Sequence, residues 1–216
     1  MFGTHDLALF AVTVLVLNAT PGVDLALTLV STLKGGVRAG LAAAAGIASG
    51  CVIHTLAAAF GLAAVLAASS AAFSVVKWAG AAYLLWLAVG MLRQGLRSGS
   101  ATPPDAVSAS APVPKSPTLL FRHGFLTNVL NPKVALFFLA LLPQFIDADA
   151  SNKTLAFLFL GGWFVVQGFA FLAIFVLLMA PLRRWQAPAA VARGLQLVGG
   201  SLFALLAARL ALVERP

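Results

Sequence analysis

Asp24 is the only acidic residue well inside an apolar run of this chain. A carboxylate at the centre of a membrane helix costs about 2.5–3.5 kcal/mol on insertion scales, so it normally faces a cavity or a partner. Thr20, Asp24, Thr28 and Ser31 recur at helical spacing and share one face. Two chemical roles suit the carboxylate: holding a substrate ammonium, or carrying a proton. Two structural roles suit it as well. It can cap the helix that restarts after Pro21-Gly22, or pair with Lys133.

The residues around Asp24 form a helix break. Pro21 has no amide hydrogen and clashes with the carbonyl four residues back, and Gly22 lets the backbone bend further. Carbonyls near Leu17 and Asn18 are expected to be freed, and the restarted helix turns its positive end towards the break, where a carboxylate binds well. Half a chain later a second break appears at Asn128-Val-Leu-Asn131-Pro132-Lys133. Asn128 and Asn131 share a face. Asn131 either coordinates substrate or caps the next helix, and Lys133 either holds a carboxylate, neutralises Asp24 or snorkels to an interface. Hydrocarbon offers no water to freed backbone groups, so such breaks persist only inside protein or along a wet cavity. Paired breaks in two halves of a chain point to a transporter's binding site. A proline kink that merely aids packing is the simpler reading of either break alone.

Other candidates are weaker. Gly36, Gly40, Gly46 and Gly50 form two Gly-x-x-x-Gly pairs, which let helices approach closely within the fold or across a homodimer. His54, one turn beyond Gly50, either relays protons or hydrogen-bonds a carbonyl. Gln167 is a further candidate for the cavity wall. Cys51 is the only cysteine, which excludes an intrachain disulfide or a Cys-pair relay. The histidines His5, His54 and His123 are far apart, and no metal-ligand cluster, nucleophile–base pair or phosphate loop stands out, so neither a cofactor, a metal nor an enzymatic activity is expected.

The elements that must position these residues are apolar helices. The chain of 216 residues is 61% hydrophobic and 9% charged, with a mean hydropathy of +1.00. A soluble domain carries roughly 25% charged residues, so an all-α polytopic membrane protein is expected. Six apolar segments are near spanning length: Leu7–Val30, Leu41–Leu66, Phe73–Met91, Phe125–Ile146, Leu155–Met179 and Val191–Leu212. The first has no basic n-region and is expected to be retained rather than cleaved. A Pro/Ala/Ser-rich stretch over 94–123 reads as a flexible cytoplasmic linker. It divides one transport domain, 1–216, into three-helix halves at 1–93 and 124–216. With the N-terminus outside, nine Lys and Arg fall on the cytoplasmic side and four outside, which favours both termini in the periplasm. Helices 1 and 4 then enter from opposite sides, and the 3+3 repeat is inverted. The net charge of +8 fits cytoplasmic loops better than nucleic acid, since no basic run with interleaved aromatics occurs.

The run Asn18-Ala-Thr-Pro-Gly-Val-Asp24, followed by the glycines of helix 2, resembles the start of lysine-exporter (LysE) superfamily proteins of the RhtB type. The segment Phe125–Ile146, with Asn128, Asn131, Pro132 and Lys133, is similar to that family's second signature. Val23 stands where family members often have a second proline. The resemblance implies a small bacterial inner-membrane exporter of amino acids driven by the proton-motive force. A neutral or weakly basic substrate of the homoserine, threonine or leucine kind is then expected, exchanged for protons. Export of an ion or metal and a non-transporting membrane scaffold are the alternatives. Ion export lacks the expected ligand cluster, and the scaffold requires the stripe around Asp24 to be packed shut.

Overall fold

The computed structural model describes residues 2–64, 70–96, 116–147 and 150–181, with isolated positions between 197 and 208. Most of the expected linker and most of the sixth segment, Val191–Leu212, lie outside the described residues.

Helix α1 (Leu7–Ala19) ends where the proline requires it to end. Thr20, directly before Pro21, is extended at φ −69° and ψ 125°, because the proline ring excludes helical geometry from the preceding residue. The chain restarts as α2 (Val23–Leu56), which runs on into a π-helical turn, Ala57–Leu62. Gly36 interrupts α2 with φ 77° and ψ −171°, a left-handed conformation that a side chain resists. A Cβ on Gly40 would run into the Thr32 hydroxyl, although eight residues of straight helix would separate the two by about 12 Å. The chain therefore turns sharply at Gly36. That glycine is a bend, and the expectation that it packs on a helix face is corrected.

Helix α3 (Ser70–Leu96) follows, then α4 (Pro117–Val129), α5 (Pro132–Leu141) with a 3-10 turn at Leu142–Phe145, and α6 (Lys153–Met179). The α4 start corrects the linker boundary at 123. Pro117 lies in the first turn, where its missing amide hydrogen costs nothing, and Leu120 is fully buried. The fourth apolar segment thus begins eight residues earlier than the hydropathy suggested.

Val23–Leu62 and Lys153–Met179 are long and apolar enough to cross a membrane, and α4 with α5, bent by 51°, makes a third such unit. Large apolar side chains point outward, among them Val166 at 71% exposure and Trp86 at 69%. Water would penalise so much exposed apolar surface, whereas lipid does not. The core is aromatic: Phe10 from α1 meets Phe145 with ring centroids 5.2 Å apart, and Phe138 of α5 meets Phe164 of α6 at 4.9 Å.

Helix α2 packs chiefly on α4 and α6. A Cβ on Gly46 would strike the Phe121 carbonyl, and a Cβ on Gly124 would strike the Ala43 carbonyl. The two backbones touch through reciprocal glycines, as small residues permit. Gly40 abuts Val176, and Gly50 abuts the Asn128 side chain. The glycine face of α2 is thus occupied within one chain.

Candidate functional site

The two helix breaks meet. Asn128 Nδ2 donates to Asp24 Oδ2 at 2.9 Å, and Asn131 Nδ2 reaches the same oxygen at 3.4 Å. A hydrogen bond to a charged group is worth about 1.5–3 kcal/mol, so these contacts offset much of the carboxylate's insertion cost. Asn128 is fully buried. Its position is held by Gly50, which leaves room for it, and by its own backbone.

That backbone explains His54. Pro132 cannot donate to the carbonyl of Asn128 four residues back. The freed oxygen accepts from Asn131 N at 2.9 Å and from His54 Nε2 at 3.1 Å. Since a carbonyl only accepts, Nε2 carries the hydrogen. His54 secures the second break and does not line the cavity. At the first break, Thr20 N reclaims the carbonyls of Val16 and Leu17 at 3.0 and 3.2 Å, and the Thr20 hydroxyl donates to Val16 O at 2.7 Å.

The two restarting helices differ at their N-termini. Asn131 caps α5: its Oδ1 accepts from Lys133 N at 3.0 Å, and its carbonyl accepts from Val134 N. Asn131 therefore both caps and contacts Asp24. Helix α2 begins after Gly22 with no side-chain cap, although its first amides have no intrahelical acceptor. Lys133 turns inward, with Nζ 3.3 Å from where a Cβ of Gly22 would sit. A cation beside a positive helix end favours an anion there.

A cleft with about 600 Å³ of empty space, its open mouth included, lies between the breaks. Asn18, Thr20, Gly22, Asp24, Asn128, Asn131 and Lys133 all line it. Pro21 and Pro132 shape the breaks without lining the cleft. Three buried polar atoms in its wall have no hydrogen-bond partner: Asp24 Oδ1, Asn128 Oδ1 and Asn18 Nδ2. Buried polar groups are seldom left unpaired, so these atoms mark where a ligand would gain most. Thr28 and Ser31 are fully buried against protein, not in the cleft. Gln167 is also elsewhere: its Nε2 donates to Ala11 O and its Oε1 accepts from Trp163 Nε1, both at 2.7 Å, so it ties α6 to α1.

Several cleft residues escaped the sequence reading. Cys51 lines the wall, but a lone buried cysteine gives no sequence signal. Phe164, Val165, Gly168, Phe169 and Leu172 form an apolar side supplied by α6. Their helical spacing looks the same as that of a lipid face. Tyr83 of α3 donates its hydroxyl to Lys133 O at 3.1 Å, outside the cleft lining. Among the described residues, no three His, Cys, Asp or Glu side chains converge as a metal site would require.

Residues 15–214 match the family described as LysE type translocator. The chain is 30% identical over 202 residues to a homoserine/homoserine lactone efflux protein of Salmonella typhimurium, covering 94% of each chain. It is 30% identical over 182 residues to a leucine efflux protein of Klebsiella pneumoniae, covering 82% of this chain and 80% of that one. A membrane protein of Pseudomonas aeruginosa is 34% identical over 161 residues, covering 73% and 72%. No solved structure matches. With a family match over nearly its whole length, a helical architecture whose apolar side chains face outward, and paired helix breaks around a polar cleft, the chain belongs to the LysE type translocator family.

Proposed function

We propose that this protein exports small amino acids across the bacterial inner membrane in exchange for protons. The observation that carries this reading is the Asp24 carboxylate, held where two helix breaks meet and facing the cleft with Oδ1 unpartnered. An ammonium fits beside Asp24 Oδ1, an acceptor left without a partner. The carboxylate of the same molecule fits the opposite end, beside the uncapped start of α2, Lys133 and the Asn18 amide. The efflux names of the Salmonella and Klebsiella relatives support a substrate of the homoserine or leucine kind. Six spans as an inverted 3+3 repeat, with both termini periplasmic, suit alternating access by rocking of the halves. Asp24 serves both steps by holding the ammonium in one state and a proton in the other.

The test is efflux from loaded vesicles, driven by an imposed proton gradient. Asp24→Asn is expected to insert normally and to lose transport by two orders of magnitude or so, roughly the worth of one charged hydrogen bond. A protonophore should stop uphill export by the unsubstituted protein. Export by Asp24→Asn at the unsubstituted rate would remove the assigned role, and protonophore-insensitive uphill export would remove the proton coupling.

A further inference from the structure

We infer that the α6 side of the cleft is a side-chain subsite for uncharged aliphatic groups, with Gly168 setting its size limit. The inference rests on the amino-acid export reading and narrows its substrate class to neutral amino acids. Every polar or charged lining group except Cys51 comes from the two breaks, whereas α6 offers only Phe164, Val165, Gly168, Phe169 and Leu172. A second charge on the substrate, as in lysine or glutamate, would face this apolar side without a partner, and burying an unpaired charge is strongly unfavourable.

Gly168 differs from the packing glycines. A Cβ on Gly46, Gly124 or Gly161 would collide with Phe121, Ala43 or Thr55. At Gly168 a Cβ would meet only Asn18, at 3.6 and 3.7 Å, which is ordinary contact. Gly168 is nevertheless buried and lines the cleft. Its missing side chain is therefore space held for a ligand rather than for a neighbouring helix. It lies beside the Asn18 amide at the first break, so a molecule anchored at Asp24 by its ammonium extends its side chain across Gly168 towards Val165. Filling that space shortens what fits, and trimming Val165 lengthens it.

The experiment is counterflow in vesicles with a series of neutral aliphatic amino acids of increasing size, together with lysine and glutamate. The unsubstituted protein is expected to prefer the neutral series over both charged compounds by at least about ten-fold. Gly168→Ala should lower kcat/KM for the largest accepted member relative to the smallest by on the order of ten-fold, the discrimination typical of one methyl in a pocket. Val165→Ala should shift the same ratio the opposite way. Gly162→Ala, whose added Cβ meets nothing within 4 Å, should leave the ratio unchanged. Because Val165→Ala only removes atoms, it decides the matter if Gly168→Ala does not insert. Equal transport of lysine or glutamate, or an unchanged size ratio, would overturn the subsite while leaving amino-acid export standing. Transport of no amino acid by the unsubstituted protein would overturn the export reading, and the subsite with it.

Discussion

Asp24 is stabilised by a partner half a chain away. Asn128 supplies its short hydrogen bond, and Asn128 is itself held by Gly50 and by its own carbonyl, which His54 and Asn131 engage. Asp24 and Asn128 both line the cleft, and their Oδ1 atoms have no hydrogen-bond partner. Removing one partner of a buried pair costs about 1–3 kcal/mol. Asn128→Ala is therefore expected to raise the substrate KM by about ten-fold or more. Vesicle kinetics at matched protein levels check this, and an unchanged KM would show that Asn128 only fills space. Asn128 was legible in the sequence as a polar residue in an apolar run, and so was Asp24. Their contact was not legible, because nothing local fixes how the two breaks are oriented towards each other.

At the scale of elements, each break is a short sequence that a helix cannot continue through. Pro132 removes the donor for the Asn128 carbonyl and bends α4 against α5 by 51°. Pro132→Ala restores that donor and competes with His54 for the oxygen. Slower transport with retained expression is expected, with kcat falling several-fold. If kinetics are unchanged, the bend matters only for packing. The contact between α2 and α4 makes a sharper steric prediction. Gly46→Leu or Gly124→Leu places a side chain where the facing backbone already lies. Loss of monodisperse protein on size exclusion after detergent extraction is the expected outcome, and a normal elution profile would contradict the close approach. Gly46 stood out in the sequence through its four-residue spacing. Gly124 has no such spacing and emerged only once the helices were packed.

The whole molecule places the cleft between two broken helices and the apolar side of α6. In the proposed export cycle the cleft is exposed alternately as the halves move against each other, and the single cysteine offers a direct readout. Cys51 is 6% exposed and lines the cleft, and no other thiol competes. Labelling by a small membrane-permeant maleimide should proceed slowly and be slowed further, several-fold, by saturating transported amino acid. Protection absent at every substrate concentration would argue that substrate binds elsewhere.

By itself, the sequence determined the helical, lipid-facing character of the chain, the two break points and the identity of the polar residues within them. These follow from local rules: apolar composition selects the solvent, proline removes a donor, and helical spacing sorts residues onto faces. Tertiary structure alone decided three further things: that Gly36 is a bend, that Gln167 is a tie between helices, and that an apolar stripe on α6 faces a cleft. A stripe directed at lipid and a stripe directed at a ligand have the same composition. Only the packing of α1, α2, α4 and α5 around it distinguishes them.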